Sequence, residues 1–321
     1  MRALLVHNPA AGGGRSARLL PAVLERLRSV GVKVEVHRTV SLDDACLAAR
    51  QAATSVRAVV AMGGDGTVGA CAAGLADAGL AFSRVASVAG LDDARVAALG
   101  VVPAGAGNDA ARNLGLPFAD PLAAAALLPG LRARRADLVR AGERYLLNAG
   151  GAGFDAEVSR IANQRLSWAP ARLRYLGAVL AQLVSGRPAG FRLLLDGREI
   201  QSSAWLIAVA NSQSYGGGMR IAPMARLDDG LLDVVIVAGD LSKRGFLVTL
   251  PKVFSGRHVE HPSVHVHRAA RVRLEADRPV AVHLDGEPAG TVPVSFEVSR
   301  GVIAVLAAER APAFSRIPSV P

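Results

Sequence analysis

"RAVVAMGGDGTVGACAAGL", Arg57 to Leu75, joins a short apolar run to a helix of small residues through glycines at 63, 64 and 66, with a fourth at 69. A strand that ends in a Gly-rich turn and feeds a helix is a frame for holding phosphate. The first amides of the helix point into the turn, and glycine lets a ligand approach the backbone. Read from Gly64, the letters also fit G-x-G-x-x-G, with Asp92 and Asp93 about 20 residues further on. That dinucleotide fingerprint belongs in the first βα turn of its domain, whereas two strands and two helices precede it here. Asp65 between the first two of its glycines would repel a diphosphate unless a cation intervened. A Walker-type loop is excluded, because no lysine stands near any glycine loop.

Working outward, residues 1 to about 130 alternate strand and helix. "RALLVHNP", "VKVEVHRTV", "RAVVAM" and "ALGVVPAG" read as strands, with "ARLLPAVLERLRSV" and "SLDDACLAARQAAT" as helices between them, the second opened by Ser41 as an N-cap. This rhythm predicts an α/β domain with a parallel sheet covered on both faces. Ligands of such sheets bind beyond the carboxyl ends of the strands. "HNPAAGGG", "AMGGDGT" and "VPAGAGND" all fall at such ends, so three Gly-rich loops converge on one edge.

After about residue 133 strand follows strand: "RADLVRAG", "ERYLLNAGGAGF", "GFRLLLDGREI", "SAWLIAVANS", "GLLDVVIVAG", "ARVRLEA", "PVAVHLDGE" and "VSFEVS". Asp196-Gly197 and Asp285-Gly286 supply turn chemistry between them. A mainly antiparallel β-sandwich domain is expected, interrupted by helices near 166–186 and 242–256. The expected boundaries are 1–130 for the α/β domain, 131–305 for the β-rich domain, and 306–321 for a tail, loosely ordered or packed back on the first domain.

Hydrophobic residues make up 51% of the 321, ample for a core, but no apolar stretch is long enough to span a bilayer and none resembles a signal segment. A cytoplasmic protein is expected. Cys46 and Cys71 read as buried free thiols. The net charge of +10 rests on arginine, since lysines occur only at 33, 243 and 252. An excess of this size either decorates solvated faces or attracts an anionic surface. With aromatics at 4% and no zinc-finger or RNP-like spacing, nucleic acid is not the expected partner.

Taken singly, the chemistry-bearing residues have plain readings too. Asp65 and Thr67 can cap a helix, Asp228-Asp229-Gly230 can be a turn between strands, and Asp285-Gly286 can be a hairpin turn. Together they read otherwise. "NPAAGGG" (8–14), "GGDGT" (63–67), "PAGAGNDAARNLGLP" (103–117), "NAGGAGFDAEV" (148–158), "YGGGMRIAPMARLDDGLLDVVIV" (215–237) and "LDGE" (284–287) occur in this order. The chain thereby resembles the diacylglycerol kinase family, in particular the soluble bacterial lipid kinases, related to sphingosine kinases and more distantly to NAD kinase.

The resemblance implies an NAD kinase/diacylglycerol kinase-like fold, ATP and Mg2+ as cofactors, and a lipid alcohol such as diacylglycerol as acceptor. It implies that Asn8, Ala10, Ala11, Gly12, Arg15, Thr39, Gly63, Gly64, Asp65, Gly66, Thr67, Gly105, Asn108, Asp109 and Arg112 surround the nucleotide. Asp229, with the carbonyls of Arg226 and Leu231, would form a structural magnesium loop, oxygen donors being what a hard cation prefers. The general base would be Asp285 or Glu287, with Asp65 near the reacting phosphoryl group.

Two departures stand out: Gly69 and Ala70 replace the family's Asn-Glu pair, and Ala106 replaces a threonine. They keep two alternatives open, a non-catalytic lipid or nucleotide binder and an NAD kinase-like enzyme acting on a soluble nucleotide. The main expectation is a cytoplasmic lipid kinase that associates peripherally with an anionic membrane surface, with a homodimer left open.

Overall fold

Strands β1 (Arg2–His7), β3 (Ala58–Gly63) and β4 (Ala98–Pro103) are buried nearly end to end, as the unbroken apolar runs require. The structure is a computed structural model and describes residues 1–85, 96–164 and 171–314. Asp92 and Asp93, the start of the helix expected at 166–186 and the last residues of the tail lie outside the described residues.

The first domain is a parallel sheet in the order β4-β3-β1-β2, with β2 at Lys33–Arg38. Successive residues of β1 go to opposite faces: Leu4 and Val6 join one core, Ala3 and Leu5 the other. Helix α1 (Arg15–Ser29) follows β1, α2 (Leu42–Ala52) follows β2, and α3 (Asp65–Val85) follows β3. Ser41 caps α2 by accepting from the Asp44 amide at 3.0 Å. The chain moves from β1 to β2 on one side and returns to β3 on the other. The crevice between the carboxyl ends of β1 and β3 is therefore the switch point of the sheet.

Beyond two short helices, α4 (Asp109–Asn113) and α5 (Pro121–Leu127), the pattern becomes antiparallel. Strands β5 (Arg132–Ala141), β6 (Arg144–Leu146), β7 (Ala149–Gly153), β8 (Ala189–Leu195), β9 (Arg198–Ala210), β10 (Leu232–Ala238), β11 (Val264–Ala269), β12 (Arg271–Ala276), β13 (Ala281–Leu284), β14 (Glu287–Thr291) and β15 (Val294–Ala307) build a sandwich-like second domain. In β10, Val234 and Ile236 enter the core between the sheets. Val235 and Val237 face the other way, beneath helices α6 (Phe154–Gln164), α7 (Ala171–Ser185) and α8 (Lys243–Thr249).

Several elements differ from expectation. "VHVHRA" is strand β11, although its alternation carries histidines and an arginine; pairing with β10 along its whole length overrides that polarity. Helix α6 begins directly after the Gly-rich β7, where no helix is expected. Strand β15 carries the chain back to the first domain, pairing parallel with β4 at Val305 and Leu99. Ala311, Ala313 and Phe314 then pack into the core shared with α2 and α3. Among the described residues, no helix is long and apolar enough to cross a membrane.

Candidate active site

Three loops meet at the switch point. Asn8, just past β1, donates from Nδ2 to Thr67 Oγ1 at 3.1 Å, and its Oδ1 accepts from the Ala10 amide at 3.1 Å. Gly12, Gly13 and Gly14 then turn through the left-handed region, with φ of 61°, 65° and 82°. The loop after β4 presses on its neighbours: a Cβ on Gly105 would lie 2.5 Å from Gly64 Cα. A Cβ on Gly12 would likewise lie 2.5 Å from the Ala104 carbonyl oxygen, so close backbone contact demands glycine at 12 and 105.

Several polar groups expected at the nucleotide also brace these loops. Thr67 is buried with its hydroxyl accepting from Asn8. Asn108, itself left-handed at φ 54°, accepts from the Gly105 amide at 2.9 Å and donates to the carbonyls of Gly105 and Phe118. Thr39 donates to the Ser41 carbonyl at 2.5 Å. Arg15 reaches the Ala119 carbonyl at 3.4 Å. Arg112 lies over the Phe118 ring at 3.6 Å, and its Nε is 3.7 Å from Asp109 Oδ1. In the loop 10–14 and the first turn of α3, the amides of Ala10, Ala11, Gly14, Thr67 and Val68 already have partners, so the amides of Gly12, Gly13, Asp65 and Gly66 are the ones these segments offer a phosphate chain.

Three carboxylates face this cradle. Asp65 opens α3, and its Oδ1 accepts from the Ala110 amide at 2.8 Å. Asp109 crosses to the second domain, accepting from the amides of Gly217 and Gly218 at 2.6 and 2.7 Å. Asp285 comes from the second domain itself, at the tip of the β13–β14 hairpin with φ 47°. Its Oδ1 accepts from the amides of Asn148 and Ala149 at 3.1 and 2.9 Å, and its Oδ2 from that of Leu147 at 3.0 Å. Oδ2 also faces α3, lying 3.4 Å from where a Cβ on Gly69 would be. Gly69 is one helical turn from Asp65, on the same face.

Burial pushes Asp285 up to about 6, and Asp65 adds to the rise against the pull of the amide bonds. Asp109 is pushed up to about 6 by burial and by Asp65, although Gly217, Gly218 and Arg112 oppose it. Carboxylates left undercompensated beside a phosphate cradle suit the charge of a divalent cation arriving with a nucleotide. Glu287 is placed differently: it is exposed on β14, opposite Leu284.

In the loop expected to hold structural magnesium, the carboxylates are paired with arginines. Asp229 pairs with the Arg268 guanidinium, which also approaches Asp233 at 3.6 Å. Asp228 is held by Arg134 at 3.4 Å and by Arg226 at 3.7 Å. A cation held by Asp229 and the carbonyls of Arg226 and Leu231 would have to displace the Arg268 guanidinium from Asp229. Among the described residues no cluster of three or more His, Cys, Asp or Glu side chains is arranged to hold a metal ion.

Two groups of residues escape a reading of the sequence. Asp155, buried in α6, accepts from Tyr215 Oη at 2.7 Å and contacts His283 Nε2 at 2.7 Å. Tyr215 stacks on His283 at 5.5 Å between ring centroids. Burial opposes a charge on His283, but Asp155 outweighs it and raises the imidazole above its ordinary 6.5. The second group is centred on Asn113, whose amide donates to Ser212 Oγ at 2.8 Å and to the Ser214 carbonyl at 3.0 Å, across the two domains.

A small apolar cavity of about 60 Å3, partly open to solvent, lies beneath α8 and is walled by Phe154, Leu206, Val237, Phe246 and Val253. Asp155 and Tyr215 also line it. It therefore reaches the His283 cluster, two residues along the chain from Asp285.

Comparison with known proteins agrees with this layout. Residues 2–141 match the diacylglycerol kinase catalytic domain, and residues 149–307 match the YegS C-terminal NAD kinase beta sandwich-like domain. A diacylglycerol kinase of Mycobacterium tuberculosis is 35% identical over 306 residues, covering 93% of each chain. One from Bacillus subtilis is 29% identical over 313 residues, covering 97% of this chain and 98% of the other. The fold is shared with a crystal structure described as a diacylglycerol kinase of Bacillus anthracis. That match has a TM-score of 0.70 at 22% identity and covers 97% of this chain and 98% of the other.

Proposed function

Because the chain belongs to the diacylglycerol kinase family, we propose that it transfers the γ-phosphate of ATP to a hydroxyl of a membrane lipid such as diacylglycerol, with Asp285 as general base. The observation that carries this reading is the Asp285 carboxylate. Three amides of 147–149 fix it, and its Oδ2 is aimed across the cleft at the first turns of α3.

In the proposed step the lipid hydroxyl oxygen attacks the γ-phosphorus and forms the new O–P bond. The bond to the bridging β–γ oxygen breaks, and ADP leaves with its electron pair. The hydroxyl proton passes to Asp285. A carboxyl that titrates near 6 is ionised at neutral pH, yet is a stronger base than an ordinary aspartate. The glycine loop 10–14 and the first turn of α3 would receive the triphosphate. A magnesium ion, when bound, supplies charge neutralisation on the phosphates, and Asp65 and Asp109 are the carboxylates that would hold it. The apolar walls beneath α8 would meet the start of an acyl chain, and α8 would have to shift outward to admit more of it.

Incubation with γ-labelled ATP, magnesium and a panel of diacylglycerol, sphingoid bases and other lipid alcohols tests the reading. A labelled lipid is expected. Label transferred to a soluble nucleotide alone, or to nothing while the folded protein binds vesicles, overturns it in favour of the alternatives raised by Gly69, Ala70 and Ala106.

A further inference from the structure

The segment that roofs the apolar cavity is built the wrong way round for a surface that meets only water. Along α8 and the 3-10 turns that continue it to Ser255, Phe246, Thr249 and Val253 are buried, and the cavity lies against them. The outward side presents Leu247, Val248 and Phe254, exposed by 43%, 66% and 55%. Beside it, at the carboxyl end of α7, Val184 is 78% exposed, and its carbonyl accepts from Lys243 Nζ at 2.7 Å. Exposed apolar side chains are ordinary when scattered, but a contiguous group marks an interaction surface.

Charge identifies what that surface meets. Lys243, Arg244, Lys252 and Arg257 punctuate the segment, and no acidic residue stands between Asp240 and Glu260. Two of the chain's three lysines fall here, in a protein that otherwise takes its positive charge from arginine. A protein partner would be expected to answer such a face with a shaped apolar knob and paired carboxylates. An outward row of apolar side chains flanked by long, flexible cations instead matches the interface of an anionic bilayer: acyl chains below, phosphates at the level of the ammonium groups.

We infer that the outer face of residues 243–257, together with Val184, docks on an anionic phospholipid bilayer. The cavity then lies directly beneath the docked segment, against Phe246, Thr249 and Val253. The inference rests on the proposed lipid-kinase reading for its purpose, but the docking itself can be measured without ATP.

The test is co-sedimentation of the full chain with vesicles of phosphatidylglycerol and phosphatidylcholine, against vesicles of phosphatidylcholine alone. Two variants are compared with wild type, Val248→Ser/Phe254→Ser and Lys243→Glu/Lys252→Glu. All four positions are exposed, so melting temperatures should stay at the wild-type value. Leu127→Ser, an exposed apolar position on the first domain, serves as control. Each double variant should weaken partitioning onto anionic vesicles by roughly ten-fold or more, the lysine pair should also lower the salt sensitivity, and Leu127→Ser should change nothing. Phosphoryl transfer to a dispersed short-chain diacylglycerol, which needs no bilayer, should persist in both variants.

Wild-type binding that is equal on the two vesicle types, or double variants that bind as wild type does, overturns the inference. So does a solution dimer abolished by the same substitutions without vesicle binding, which assigns the face to a second copy. Loss of vesicle binding by the variants when wild type transfers no phosphate to any lipid keeps the docking surface and rejects the kinase reading.

Discussion

Replacing Asp65 with asparagine removes one charge at nearly constant shape, and the structure indicates where that charge is felt. The amide oxygen can keep the bond from the Ala110 amide, so the loop contact survives. Asp109 and Asp285 are both pushed up to about 6 from 3.8, first by burial and then with a contribution from Asp65. A Cβ on Gly107 would lie 3.1 Å from Oδ2 of both Asp65 and Asp109, so the two oxygens are at most twice that distance apart. Unit charges about 6 Å apart at an effective dielectric of about 20 interact by roughly 3 kcal/mol, or about two pKa units. Water and ions in the cleft reduce this to about one unit.

Asp109 should therefore titrate about one unit lower in Asp65→Asn. Asp285 should move the same way by less, because two of its amide bonds outrank Asp65 among the causes of its shift. Carboxyl-carbon NMR of aspartate-labelled protein without nucleotide reads both midpoints directly. If neither midpoint moves, the three carboxylates do not form one cluster, and the argument for a cation beside the triphosphate fails with it.

Other consequences are open to test. Gly69→Asn should place an amide donor against Asp285 Oδ2 and lower its midpoint, so the acidic limb of kcat/KM should shift to lower pH; an unmoved limb contradicts the placement of Oδ2 beside α3. Gly105→Ala forces its Cβ against the backbone of Gly64, and should cost about 1–3 kcal/mol in denaturant unfolding and weaken ATP binding with it. Stability tied to His283, whose folded value is raised, is fully present below 6.5 and is lost as pH rises through the folded value. His283→Gln should flatten that alkaline decline in melting temperature, and an unchanged decline would show that the imidazole is not charged against Asp155.

How far the sequence could be read follows from where each residue finds its partner. The apolar runs of β1, β3 and β4 and the glycine loops behind them carry their own signal, because burial on both faces and tight turns are local demands. Asp285 carries no such local signal, and only the order of the motifs around "LDGE" singles it out. Leu195-Asp196-Gly197 and Leu284-Asp285-Gly286 are the same three letters, and both make hairpin turns with positive φ. Both aspartates also accept backbone amides, Asp196 from Ala270 and Arg271, Asp285 from Leu147, Asn148 and Ala149. Only the partner strand separates a structural turn from the cleft, and that strand lies far away in the chain.

Asp155 is likewise 60 residues from Tyr215 and 128 from His283, beyond any local pattern. Thr67, Asn108 and Thr39 have partners that also escape the letters. Thr67 ties its loop to Asn8, whereas Thr39 and Asn108 brace their own loops, contacts that the motif letters alone do not reveal. The arginines paired with Asp228 and Asp229 come partly from β5 and β11, which the "RLDDG" letters cannot reveal.

The most direct test of the account is γ-phosphate transfer to diacylglycerol in anionic vesicles by wild type, Asp285→Asn and Glu287→Gln at equal folded concentrations. The account predicts transfer by wild type, loss of about 100-fold or more in kcat for Asp285→Asn, and near wild-type turnover for Glu287→Gln. Turnover that survives in Asp285→Asn and collapses in Glu287→Gln would contradict it.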